Sequence, residues 1–235
     1  SSDFEFIELR NTSADSIDLP NVRFTDGITF DFTDSGAVTL LPGQFVVVVK
    51  DVSAFLVRHG TGAHIAGEFE GNLDNGGERI TLVDANDQII AVFSYNDTGS
   101  WPGRADGKGS TLEIVDPGSD YDIGGNWRSS SEYNGSPGVA GLGPDNRVVI
   151  NEVLAHTDEP QSDAIELFNT TNETIDIGGW YLSDSNTYKK FRIPDDTMLD
   201  GLSYIFFDED DFNSSMGVDP NDFGLNGAHG DKVYL

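Results

Sequence analysis

One stretch of this chain occurs twice. Ile7-Glu8-Leu9-Arg10-Asn11-Thr12, closing at Ile17-Asp18, returns 158 residues later as Ile165-Glu166-Leu167-Phe168-Asn169-Thr170, closing at Ile175-Asp176. The same spacing relates Asp26 to Asp184, Thr39 to Thr197, Leu41 to Leu199 and Gly43 to Gly201. Both copies then enter a β-branched and aromatic run, Phe45–Val49 in one and Tyr204–Phe207 in the other. They converge again at Gly77–Leu82 and Gly230–Leu235, so the middle of the second copy is five residues shorter. A register kept over more than thirty residues means one structural unit used twice.

The unit is built of strands. Short apolar runs alternate with turn signals such as Asp26-Gly27, Pro42-Gly43, Asn75-Gly76-Gly77 and Asp84-Ala85-Asn86-Asp87, which is the punctuation of an antiparallel β-protein. In the first copy this predicts strands over 4–10, 22–24, 28–32, 45–50, 79–83, 89–95 and 111–115. In the second it predicts 148–154, 163–169, 180–182, 188–193, 203–207 and 231–235. A helix is predicted over Val52–His59, where Val52, Phe55, Leu56 and His59 share a face. Seven or so short strands per hundred-odd residues favour a two-sheet sandwich of immunoglobulin-like character, with a small closed barrel as the competing geometry. Asn134 to Asp145 is dense in Gly and Pro and reads as a tether. The expected organisation is a first sandwich over 1–139, a Gly/Pro linker over 140–146 and a second sandwich over 147–235. The first is expected to lack its leading strand and the second its trailing one, which makes the chain an excerpt of a longer protein.

Charge and composition narrow the partners. With 41 acidic against 13 basic side chains the net charge is −28, and such a field repels the phosphate backbone on which nucleic-acid affinity rests. Nucleic acid is therefore not an expected partner. No stretch approaches the run of roughly twenty apolar residues that a membrane helix needs. Cysteine is absent, which excludes a disulfide framework and thiol chemistry. The acidity itself serves solubility, or places oxygen ligands for calcium.

The candidate site residues follow from the same reading. In Ile165-Glu166-Leu167, alternation puts Ile and Leu on the core face and Glu on the other, so Glu8 and Glu166 are expected to pair with a cross-strand cation or to accept hydrogen bonds from a loop. Asn11 and Asn169 are expected to cap a turn through their side chains. Asp116, Asp120 and Asp122, followed by Gly124-Gly125, are the calcium candidates, although they do not follow the alternate-position spacing of the twelve-residue calcium loop. Asp208-Glu209-Asp210-Asp211 and Asp219-Pro220-Asn221-Asp222 read as solvated acidic turns. Zinc is disfavoured, because His59, His64, His156 and His229 are scattered. No nucleophile elbow, metalloprotease motif or phosphate loop is present, and no enzymatic activity is expected. Trp101 and Trp127, each beside a Gly-containing turn, are candidates for stacking on a sugar ring.

Val149-Ile150-Asn151-Glu152-Val153, Asp163-Ala164-Ile165-Glu166-Leu167-Phe168-Asn169 and Ile175-Asp176-Ile177-Gly178-Gly179-Trp180-Tyr181-Leu182-Ser183-Asp184 together resemble the opening of a lamin-tail domain in its bacterial form. The first copy resembles a sub-type found in large secreted, multi-domain bacterial proteins, through Phe4–Leu9, Val22–Ile28, Gly71–Ile80, Trp101-Pro102, Asp106–Glu113, Asn126–Arg128 and Gly135–Gly138. It departs from the second at Pro20-Asn21-Val22, where the second has Gly178-Gly179-Trp180. The resemblance implies an all-β chain of two tandem immunoglobulin-like β-sandwich domains, without catalytic residues. The expected role is a non-catalytic structural or protein-interaction module in an extracellular or cell-surface protein, with a protein or cell-surface partner. The alternative is a carbohydrate-binding or calcium-dependent adhesive module attached to an extracellular enzyme. Whichever role applies, it is expected in the loops where the copies differ, 52–76 against 210–229.

Overall fold

A computed structural model of the chain describes residues 2–35, 39–155, 162–185 and 189–235. They form two compact units, Ser1–Gly143 and Pro144–Leu235. His156, and the start of the strand expected at 188–193, lie outside the described residues.

The first unit runs through β1 (Phe6–Arg10), β2 (Ile17–Asp18), β3 (Arg23–Asp26), β4 (Ile28–Asp31), β5 (Thr39–Leu40), β6 (Phe45–Val49), α1 (Val52–His59), β7 (Ile65–Glu68), β8 (Glu70–Gly71), β9 (Arg79–Val83), β10 (Ile89–Ser94), β11 (Leu112–Ile114) and β12 (Trp127–Ser129). A three-stranded sheet in the order β1-β6-β7 faces a five-stranded sheet in the order β10-β9-β3-β4-β8. Ile7, Leu9, Val46 and Val48 point inward to meet Phe24, Ile28, Ile80 and Leu82 from the other sheet. The alternate residues Val47 and Val49 are as fully buried, because α1 lays Phe55 on the outer face beside Phe6, Ala63 and Ile65. The run Phe45–Val49 is apolar throughout for that reason: both of its faces are covered.

The helix follows the predicted spacing. Asp51 caps it by accepting a 2.8 Å bond from the Ala54 amide, and Gly60 ends it at φ +72°. It carries the chain across to β7, which pairs in parallel with β6. Sequence reading missed β7, since Ile65-Ala66-Gly67-Glu68 has neither alternation nor β-branched density. The Gly/Pro-rich stretch is fastened to this unit as far as Leu142. The Gly138 amide donates to Glu8, Arg128 donates to the Gly141 carbonyl at 3.3 Å, and the Leu142 amide donates to Glu132 at 2.9 Å.

The second unit runs through β13 (Val148–Leu154), β14 (Ala164–Asn169), β15 (Ile175–Asp176), β16 (Tyr181–Leu182), β17 (Phe191–Arg192), β18 (Met198–Leu199), β19 (Tyr204–Asp208) and α2 (Glu209–Phe212). Its main sheet has the order β13-β14-β19. Ile165, Leu167 and Phe207 pack inward against Ile177, Leu182, Ile193 and Leu199. The expected strand over 231–235 does not form. Only Tyr234 pairs, in an isolated bridge to Ser183, because Asp231 turns the preceding backbone by accepting from the Asn226 and Lys232 amides. In both copies alternation produces one fold, two packed and mainly antiparallel layers of the immunoglobulin-like kind, with the β6-β7 pair of the first copy parallel.

Candidate functional site

The duplicated asparagines close turns as their pattern predicts, and Glu8 takes a loop donor as expected, whereas Glu166 takes a neutral side-chain donor from the neighbouring strand in place of a cation or a loop. Asn11 is buried, and its side-chain amide donates to the carbonyls of Asp15 and Leu40, each at 2.8 Å. Its oxygen accepts from the amide and hydroxyl of Ser13. Asn169 repeats this with the carbonyls of Glu173 at 2.7 Å and Leu199 at 3.0 Å, and accepts from Thr171. One buried side chain thus closes the turn after β1 or β14 and ties it to the far strand pair.

Glu8 and Glu166 occupy the outer face and receive loop or side-chain donors. Glu166 accepts from Asn151 Nδ2 at 2.7 Å. Glu8 accepts from the Gly138 amide on the covering segment. Burial pushes the Glu8 carboxyl up to about 7, opposed by the Gly138 N–H and reinforced by the nearby charge of Glu113. Glu113 itself is held by Arg128, whose Nε lies 3.0 Å away. Beside this group is a cavity of about 440 Å³, lined by Gln44, Phe45, His64, Gly138, Val139 and Ala140 among others.

Trp101 and Trp127 are brought together, with ring centroids 5.9 Å apart. Phe93 and Tyr121 each lie 5.4 Å from Trp127, and the Trp127 indole donates to the Tyr121 carbonyl at 2.9 Å. Gly124 permits the cluster, since a Cβ there would sit 2.8 Å from the Trp101 ring. The four rings form a half-buried cluster in which Trp127 is engaged by three neighbours and Trp101 lies at the flank.

The calcium candidates surround Tyr121 without converging. Asp116 accepts from the Gly118 amide, Asp120 from the Asp122 amide and Asp122 from the Ser94 amide at 2.7 Å. Among the described residues no group of three or more His, Cys, Asp or Glu side chains is placed to hold a metal ion. The other acidic runs shape their own backbone: Asp208 caps α2, and Asp222 accepts from the amide and hydroxyl of Ser215. His59 packs on Phe55 with centroids 4.6 Å apart, and burial holds its pKa below the usual value. His64, in the first unit, and His229, in the second, are exposed.

A feature that sequence reading missed lies on the outer face of the β13-β14-β19 sheet. Register equates Val47, opposite Glu8, with Phe206, opposite Glu166, and Phe45 with Tyr204. Val47 is fully buried, whereas Phe206 is 66% exposed, Tyr204 54%, Leu154 46% and Val149 36%. The difference comes from the chain after the central strand. The first unit lays α1 over that face. The second turns Phe212 inward, where it stacks on Phe223 at 4.8 Å. Phe168 and Tyr204 stack at 4.5 Å on the open face. The available signal was the shorter middle segment, in which the eight-residue α1 is replaced by the four-residue α2.

Among the described residues no helix is long and apolar enough to cross a membrane. A family model described as "Lamin Tail Domain" matches residues 1–97 and 143–235. The β11-β12 ribbon and the covering segment around Gly138 fall between the two matches. No curated protein and no solved structure matches the chain.

Proposed function

Since the chain belongs to the lamin tail domain family, a family of immunoglobulin-like interaction modules, we propose that it is a non-catalytic protein-interaction module carried twice within a large secreted bacterial protein. The observation that carries this reading is the open face of the β13-β14-β19 sheet. Contiguous exposed aromatic and aliphatic groups on a folded domain mark an interaction surface, and Tyr and Phe are the side chains that anchor such contacts. The net charge of −28 supports a solvated exterior setting and disfavours nucleic acid as the partner.

The test is a photo-crosslinking residue placed at Phe206 in the native host. A discrete adduct with a foreign protein is expected at the cell surface or in the medium, competed by excess unlabelled chain and not by a Phe206→Ser chain. Absence of any foreign adduct refutes the interaction reading. Confinement of the chain to the cytoplasm refutes the secreted setting.

A second reading, glycan binding, draws on the Trp101–Trp127 cluster, because a half-buried indole at the flank of a ring cluster offers a stacking plane. A glycan array reads it directly. Signals lost with Trp101→Ala support it, and silence of the wild-type chain across the array removes it.

A further inference from the structure

Resting on the interaction reading above, we propose that the open face of the β13-β14-β19 sheet receives an extended peptide segment of a partner protein. The segment bears glycine and proline, lacks acidic side chains, donates a backbone N–H to Glu166 and lays an aliphatic side chain on Tyr204 and Phe206.

The first unit shows what such a face takes. There Glu8, the counterpart of Glu166, accepts the Gly138 amide. Gly138-Val139-Ala140 borders the cavity that Phe45, the counterpart of Tyr204, also lines. The approach is close: Gly138 sits at φ +92°, and a Cβ on it would come within 2.9 Å of the Ala63 Cα. Ser136-Pro137-Gly138-Val139-Ala140-Gly141-Leu142 carries no charge. It covers the part of the face around Glu8 and Phe45 with one backbone donor, the Gly138 N–H, and small apolar groups, while α1 covers Val47 and Val49.

Charge selects among occupants in the second unit. Glu152 stands directly across the strand pair from Glu166, and like charges in that position repel. The sequences of β13, β14 and β19 contain no Lys or Arg. Two copies packed face to face would gather four carboxylates in a dry interface with no cation to offset them, which is strongly unfavourable. A neutral or basic peptide instead supplies the donors that the Glu166 carboxylate can still accept beside Asn151. The exposed Tyr204 and Phe206 supply the apolar contact.

The probe is a synthetic peptide of the sequence Asn134–Leu142, titrated into the isotope-labelled two-unit chain and followed by amide chemical shifts. Saturable shifts are expected in β13, β14 and β19, including Glu166 and Phe206. Replacing the glycine equivalent to Gly138 by sarcosine removes the single N–H donor and is expected to weaken binding at least about tenfold. Phe206→Ser is expected to abolish the shifts while leaving the melting temperature unchanged, because the side chain is largely exposed. A silent face at millimolar peptide, or equal binding of the sarcosine peptide, overturns the proposal. So does a concentration-dependent dimer in sedimentation that Phe206→Ser dissolves, which assigns the face to a second copy. If crosslinking at Phe206 captures a foreign protein while the peptide leaves the face silent, the interaction reading stands and this one falls. If both are silent, both fall.

Discussion

Replacing Glu8 by glutamine is expected to change how the stability of the first unit depends on pH. Burial raises the Glu8 carboxyl from 4.5 to about 7, with Glu113 adding to the rise and the Gly138 N–H opposing it. Between those two values the folded chain holds a proton that the unfolded chain has released, so stability falls as pH rises through the window. It is flat below 4.5, where both states are protonated, and above 7, where both are ionised. At about 1.4 kcal/mol for each pH unit, the loss across the window is on the order of 3 kcal/mol. Glu8→Gln keeps an oxygen to accept from Gly138 and removes the titration. The assay is urea unfolding at pH 5 and pH 8 in a Trp180→Phe background, so that fluorescence reports Trp101 and Trp127 of the first unit. Other carboxylates titrate equally in both proteins and cancel in the comparison. The wild-type chain is expected to lose about 2.5 kcal/mol more than the variant over this interval, slightly less than the full window because pH 5 already lies inside it. Parallel pH profiles would falsify the assignment of a buried, charge-opposed carboxyl.

Asn11→Ala and Asn169→Ala each strip a buried turn of its donors and acceptor, leaving main-chain groups unpaired. Each is expected to destabilise its own unit by about 2–4 kcal/mol, read by denaturant unfolding of the two transitions. Gly138→Ala forces a side chain onto positive φ against Ala63 and is expected to cost the first unit about 1–3 kcal/mol, while the second transition stays in place. Phe55→Ala opens a cavity under α1 and is expected to cost about 3–5 kcal/mol, whereas Phe206→Ala on the open face is expected to change stability by less than about 0.5 kcal/mol. Excess EDTA is expected to leave both melting temperatures unchanged, because Asp116, Asp120 and Asp122 already accept backbone amides; a clear drop would instead reveal a cation bound only by the folded state.

The architecture was legible because it depends on local periods. Alternation in Ile165-Glu166-Leu167 assigns a core face and an outer face without reference to the rest of the chain, and the repeat assigns it twice. The buried Asn11 and Asn169 were legible for the same reason, as an Asx residue at a strand end reaches backbone within a few positions. The helix over Val52–His59 announced itself by spacing, and Asp51 and Gly60 supply its ends. Other features needed contacts between distant residues. Nothing in the neighbourhood of Trp101 tells it that Trp127 will lie 5.9 Å away. Asp116, Asp120 and Asp122 look like a ligand set by spacing, yet each turns to a nearby amide.

Sequence alone determined that two copies of one sandwich are present, which residues face each core and where the turns are closed. Only the tertiary structure decided that the outer face of one copy is covered and that of the other is open. Phe45–Val49 and Tyr204–Phe207 are equally apolar as sequences. Burial depends on what lies above a side chain, and that is set by whether the following residues cross back over the sheet, as α1 does, or turn into the core, as Phe212 does.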